Sequence, residues 1–233
     1  AGKLTTDVGT SLEISGGSLG NTGASTLNGD LNLSGGTLTG AGPLNVGGVF
    51  DMSGGSLGGA GAVTLNSFFN WSGGTVSGTG PLDVNGRLLL SGTTLLDGRT
   101  LNHLSGTGQS RMTSLGAKLF LSNGAVLRNA AGAYFTANTN GAPSSIEQGT
   151  GAAGRFENQG TFTKAGTGIT EVSARFNNSG QVTVVGGELY LFGGPSAAHT
   201  GTFTVMPGTS LNFREAHAFG ESVVKGGGMV TLL

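Results

Sequence analysis

The sequence predicts an all-β chain folded as a single-stranded, right-handed parallel β-helix, and three observations carry that expectation. The first is a repeat. Ser15-Gly16-Gly17-Ser18-Leu19 returns as Ser34-Gly35-Gly36-Thr37-Leu38, Ser53-Gly54-Gly55-Ser56-Leu57 and Ser72-Gly73-Gly74-Thr75-Val76, each copy 19 residues after the last. An altered copy, Ser91-Gly92-Thr93-Thr94-Leu95, keeps the same spacing. A fixed period of this length marks a stack of like supersecondary units. The second observation is strict alternation inside each unit, as in Leu44-Asn45-Val46, Val63-Thr64-Leu65 and Leu82-Asp83-Val84. That is the pattern of short strands with one buried face. The third is glycine in register with the repeat, at Gly16, Gly35, Gly54, Gly73 and Gly92 and again at Gly23, Gly42, Gly61 and Gly80.

Written one beneath another, the repeats form apolar columns. Leu12, Leu31, Phe50, Phe69 and Leu88 make one, and Ile14, Leu33, Met52, Trp71 and Leu90 the next. Leu19, Leu38, Leu57, Val76 and Leu95 follow, then Leu44, Val63, Leu82 and Leu101, then Val8, Leu27, Val46, Leu65 and Val84. Coils stacked at the ~4.8 Å strand spacing place each column as an internal ladder. The column Asn21, Gly40, Gly59, Gly78, Asp97 collects the residues most tolerant of the left-handed region and predicts a tight corner.

Residues 1–104 therefore read as regular 19-residue coils, and 105–233 as the same solenoid with coils of 20–22 residues. In the second half Phe156-Glu157-Asn158-Gln159-Gly160-Thr161 is echoed by Phe176-Asn177-Asn178-Ser179-Gly180-Gln181, and by His199-Thr200-Gly201-Thr202-Phe203-Thr204. Leu189-Tyr190-Leu191 and Leu211-Asn212-Phe213 supply matching second strands. The polar, small-residue stretch Thr136–Arg155 is expected to be a protruding loop. Ten or eleven coils give a rod on the order of 50 Å. The terminal Met229-Val230-Thr231-Leu232-Leu233 reads as a strand, so flanking coils or a capping partner are expected at the ends.

Composition narrows the function classes. Of 233 residues 10% are charged, with a formal net charge of −1, so there is no basic excess to neutralise nucleic-acid phosphates. No apolar run approaches the ~20 residues of a membrane span. Ala1-Gly2-Lys3 lacks the apolar core of an export signal, so any such signal is expected to have been removed or to lie outside this sequence. Cysteine is absent, which removes disulfides, thiol nucleophiles and cysteine-ligated metal.

The Ser-Gly-Gly-Thr-Leu-x-Gly-x-Gly coils and the Phe-x-Asn-x-Gly-x-[Phe/Val]-Thr coils resemble the repetitive β-solenoid stretches of large bacterial secreted and surface proteins. Autotransporter passenger domains and filamentous-haemagglutinin-like adhesins are the examples. The resemblance covers nearly the whole chain. It implies export, display at the cell surface, and a role in adhesion or as a stalk, with host or cell-surface glycans or proteins as partners. The family carries no catalytic motif that transfers to these residues.

Candidate chemistry is sparse. Gly54-Gly55-Ser56-Leu57-Gly58-Gly59 has the glycines of a calcium β-roll without its aspartate. Glu13, Asn32, Asp51 and Asn70 form one column, which a polysaccharide lyase or hydrolase could use as paired acids and which otherwise reads as an exposed amide ladder. Arg214-Glu215-Ala216-His217-Ala218-Phe219-Gly220-Glu221, with Lys225 and His199, offers an acid/base pair or two imidazole ligands, against the alternative of a solvated corner. His103 falls in the column of Val84 and is expected to be a buried or end-coil histidine rather than a ligand, and Trp71 to be core rather than a sugar platform. Thr37-Leu38-Thr39 has the form of an ice-binding rung, but its equivalents are Ser56/Gly58, Thr75/Ser77 and Thr94/Leu96. No catalytic, cofactor-binding or metal-binding residue is assigned. The sequence thus predicts a non-enzymatic rigid segment of an exported bacterial surface protein. A carbohydrate-active β-helix enzyme is the alternative and an ice-binding protein the third reading.

Overall fold

A computed structural model describes residues 2–107, 110–113 and 116–233; Ala1, at the head of the N-terminal stretch read above, lies outside them. It is a parallel β-solenoid. One coil runs through Ser11–Ile14, Ser18–Asn21 and Ser25–Leu27 before Asp30–Leu33 returns beside Ser11–Ile14, so a regular coil has three strands and three corners. From Gln181–Val184 onward the coils keep strands on the first two faces, with a single bridge among the described residues, His199 to Phe219, on the third. The first face is an 11-stranded sheet that ends at Val223–Gly226. The second and third faces belong to a single 19-stranded sheet. They merge because Ile169–Asn178 continues around the corner between them, its start pairing with Ser144–Gln148 and its end with Arg155–Asn158. A register shift between Val172 and Arg175 lets the strand bend there.

The interior is built from the expected columns. Leu31, Phe50, Phe69 and Leu88 are fully buried, with Leu33, Met52, Trp71 and Leu90 beside them. Phe50 stacks on Phe69 and Phe69 on Trp71, at ring-centroid separations of 5.0 and 5.5 Å. Trp71 meets its one polar need by donating Nε1–H to the Gly73 carbonyl at 2.9 Å. Each buried aliphatic or aromatic side chain contributes roughly 1.5–3 kcal/mol. Every coil therefore depends on the neighbours that cover its columns.

The corner between the second and third faces explains one glycine column. Gly59 and Gly78 adopt φ of 102° and 103°, and a Cβ on either would run into the carbonyl oxygen of the glycine one coil back. Two side chains close this corner at its ends. Asn21 donates Nδ2–H to the carbonyls of Gly23 and Gly42, both at 3.0 Å. Arg99, buried to 1% exposure, reaches back along the axis to the carbonyls of Ser77 and Gly61, both at 2.8 Å. Burial lowers its pKa to about 10, so it remains a cation resting on carbonyl oxygens.

Four sequence expectations change. The altered copy at Ser91 contains one extra residue. Thr75 pairs with Leu95 and Val76 with Leu96, so Leu96 rather than Leu95 enters the core and Thr94 turns inward. A one-residue shift exchanges the two faces of a strand, and placing Leu96 inside restores the apolar column. Val8 does not head the column of Leu27. Thr6 stands opposite Leu27, and Val8 lies 84% exposed in the Val8-Gly9 turn. Not all coils of the second half keep to 20–22 residues. Leu101 pairs with Leu127, 26 residues on, and Leu127 with Phe156, 29 on, before Phe156 and Phe176 return to 20.

Finally, Thr136–Arg155 is not a protruding loop. It holds the end of Tyr134–Asn138, all of Ser144–Gln148 and the start of Arg155–Asn158, and only the corners 139–143 and 149–154 leave the sheets. The inward positions here carry Ala137, Ser144 and Ile146. Thr139, Ser144 and Thr170 hydrogen-bond one another inside at 2.8–3.2 Å, so small hydroxyl residues fill a strand core with little apolar signal.

Candidate functional site

Within the rod, one inward column changes chemistry partway along. Val46, Leu65 and Val84 are followed by His103, Asn129, Asn158 and Asn178, with His199 next. Asn129 donates Nδ2–H to Asn158 Oδ1 and Asn158 to Asn178 Oδ1, both at 2.8 Å. The second amide hydrogens go to the carbonyls of Thr161, Gln181 and Thr202. Every amide therefore points the same way. At the head, Asn129 Oδ1 requires a donor, so His103 Nδ1 carries the proton at 2.9 Å. His103 Nε2 then accepts from Ser110 Oγ at 2.7 Å, and Ser110 itself accepts from the Leu88 amide. Burial pushes the His103 pKa down, partly offset by its bond to Asn129, which keeps the ring neutral. The expectation of a buried His103 holds.

At the tail the structure brings together His199 and His217. The backbone N–H of Asn178 donates to His199 Nδ1 at 3.2 Å, His199 Nε2 lies 3.2 Å from His217 Nδ1, and His217 Nε2 is 3.1 Å from the Leu191 carbonyl. A carbonyl only accepts, so His217 Nε2 is protonated and His217 Nδ1 takes the proton of His199 Nε2–H. Burial, and then the neighbouring His217, lower the His199 pKa to about 4. Burial also lowers His217, against its backbone bonds and Glu215. With every ring nitrogen engaged, neither imidazole has a free lone pair for a metal. Phe203, Phe213 and Phe219 pack around them, edge-on to one another. Glu215, at φ 61°, and Glu221 face solvent, and Lys225 is exposed in the last strand of the first face. Of the stretch singled out as a possible acid/base pair, only the imidazoles meet.

A third interior polar group is Lys164, fully buried in the column of Ala137 and Val184. Its ammonium donates to the carbonyls of Ala165, Gly166 and Gly186 at 2.7–3.1 Å. Burial lowers its pKa to about 8, against the field of Glu188. His103, the three asparagines, His199 and Lys164 are buried and hold the scaffold together, while His217 is partly exposed.

The surface holds the other sequence candidates. Glu13, Asn32, Asp51 and Asn70 form a flat outward column on the first face. Asn70 donates to Asp51 Oδ1 at 2.6 Å and Asn32 to Ser11 Oγ at 3.0 Å, so these residues make an exposed hydrogen-bonding ladder. On the second face Thr37 and Thr39 stand beside Ser18, Gly20, Ser56 and Gly58, so the Thr-x-Thr rung does not repeat. On the third face Glu157 bridges Arg128 and Arg155. Burial works against its ionisation, but the hydrogen bonds from Arg155 and Arg128 outweigh that and hold its carboxyl below the usual range.

Sequence reading missed the amide column, Lys164 and an outward aromatic pair, Tyr190 and Phe192. The signals were present. Asparagine two residues after phenylalanine, in Phe156-Glu157-Asn158 and Phe176-Asn177-Asn178, is inward by the strand period, and Phe162-Thr163-Lys164 points the lysine inward likewise. Tyr190 and Phe192 alternate with the buried Leu189 and Leu191.

Fold and interior define the class: a parallel β-solenoid of repeating coils, locked internally by polar side chains. Comparison with protein-family models, with curated proteins and with solved structures found no match to the chain.

Proposed function

We propose that the chain is a rigid, non-enzymatic segment of an exported bacterial surface protein, acting in adhesion or as a stalk. One observation carries the reading: parallel pairing runs without a break through all 11 rungs of the first face. The interior polar groups of several consecutive coils are joined by side-chain bonds along the axis. Such a ladder transmits tension along the rod through many backbone bonds at once and presents fixed lateral faces. The acids noted above support the reading too, since Asp51 is bonded to an amide in a flat array and Glu157 is neutralised by two arginines.

The test uses the purified chain on cells, host proteins and glycans, alongside a turnover assay on polysaccharides. Attachment that saturates, or resistance to proteolysis and to pulling without attachment, is the expected result for adhesion or stalk respectively. Release of reducing or unsaturated sugar ends that disappears with Asp51→Asn or Glu157→Gln would replace this reading with an enzymatic one.

A further inference from the structure

The second face changes character along the rod, and we propose that its C-terminal half binds a neutral, hexose-containing glycan on the rings of Tyr190 and Phe192. The inference rests on the adhesive reading above and names the ligand class. In the regular coils the outward positions of this face are small: Ser18, Thr37, Ser56 and Thr75. In Glu188–Gly193 the same alternation puts two aromatic rings outside, both partly exposed, with centroids 6.0 Å apart and planes 21° from parallel. Core packing does not account for them. Leu189 and Leu191 fill the interior from this strand, so the rings form an outward apolar platform, larger than the single outward Leu95 and Phe120 of the preceding rungs of this face.

A pyranose ring has one apolar C–H face and a rim of hydroxyls that both donate and accept. The platform is bordered by matching groups. Tyr190 Oη–H donates to Glu188 Oε2 at 2.7 Å, which fixes the phenol and pushes its pKa up. Glu171 lies opposite Tyr190 in the preceding rung. Arg214 follows in the next rung, its guanidinium 5.4 Å from the Tyr190 ring centroid and its buried Nε–H without a partner. Beside Phe192 the corner opens into a groove of about 580 Å³, lined in part by Ser173 and Ser196, which extends the polar border. Charge selects among sugars. Arg175 and Glu215 also line the groove, so three carboxylates (Glu171, Glu188, Glu215) stand against two guanidiniums (Arg175, Arg214). The net negative border disfavours uronates, sialic acids and sulfated glycans and leaves neutral hexoses as the complementary class.

The test is retention of the intact chain in native gels cast with a β-glucan, a mannan, a galactan or a polyuronate. It is run in parallel with attachment to cells, using the native chain and the double variant Tyr190→Ala/Phe192→Ala. The expected result is retention by at least one neutral polymer, lowered roughly tenfold or more in the double variant. Arg214→Gln, which leaves both rings in place, should weaken retention by a smaller factor and shows that loss does not require disturbing the strand. No retention by any neutral polymer, equal retention of native and double variant, or preference for the polyuronate overturns the inference. If the double variant still attaches to cells as the native chain does, adhesion stands and this site falls. If the native chain attaches to nothing, the adhesive reading falls with it.

Discussion

Replacing Asn158 with leucine tests the interior amide column directly. Leucine has similar size and leaves little void, so cavity terms are small. The change removes the acceptor of Asn129 Nδ2 and the donors to Asn178 Oδ1 and the Gln181 carbonyl, bonds of 2.8, 2.8 and 2.9 Å. Asn129 keeps its other hydrogen on the Thr161 carbonyl. Three buried polar groups then lose a partner, each at a cost of about 1–3 kcal/mol. Burying a leucine side chain returns about 1.5–3 kcal/mol. At the middle of these ranges the net expectation is a loss of about 4 kcal/mol. Urea unfolding followed by far-UV circular dichroism measures it, with hydrogen exchange locating which coils open first. Asn70→Leu, in the exposed ladder, is the control and should move stability by less than about 0.5 kcal/mol. A loss below about 1 kcal/mol for Asn158→Leu at unchanged m, or a gain, would refute the claim that the column is a bonded unit.

Further expectations follow from the same interior. Lys164 has its pKa lowered to about 8, so an unfolded chain holds more protons than the folded one between about 8 and 10.5, and stability should rise with pH across that window. Lys164→Met should remove the rise, seen as a flat melting temperature from pH 8 to 10, because no group at that position then titrates. His199, lowered to about 4 from 6.5, gives the same sign at acid pH: stability is lost as pH falls from 6.5 towards 4, because the unfolded chain takes up the proton first. Thermal melts of His217→Phe, which removes one of the two facing imidazoles, should show a shallower acid slope. Gly59→Ala meets both a positive φ and a carbonyl, whereas Gly9→Ala, at φ 79°, meets nothing within 4 Å. Denaturation should therefore show the first losing more than about 2 kcal/mol and the second about 1 kcal/mol.

The architecture was legible because its signals are additive. Phe50, Phe69 and Trp71 sit in columns set by the repeat alone, and one inserted residue at the Ser91 copy was hidden only because Leu95 and Leu96 are both acceptable core residues. The coils between His103 and Phe156 were harder. Their inward positions use Ala137, which gives little apolar signal, and Ser110, Ser144 and Asn129, whose bonding partners lie 20 or more residues away in most cases, and no local pattern reveals a bond of that span. The acid column Glu13, Asn32, Asp51, Asn70 read correctly as a ladder, since a flat strand face cannot converge its side chains. The meeting of His199 with His217 depended on how the corner 214–219 folds back, which the repeat does not specify.

The amide column has a consequence for how such a rod changes length. Each asparagine shows an acceptor to the coil before it and a donor to the coil after, so an added or deleted asparagine coil leaves the next bond unchanged. The histidines behave differently: His103 begins the chain of donors and His199 meets it through a backbone amide. Between those two stops the number of coils is free, and reach becomes a quantity that duplication can adjust without redesigning the core.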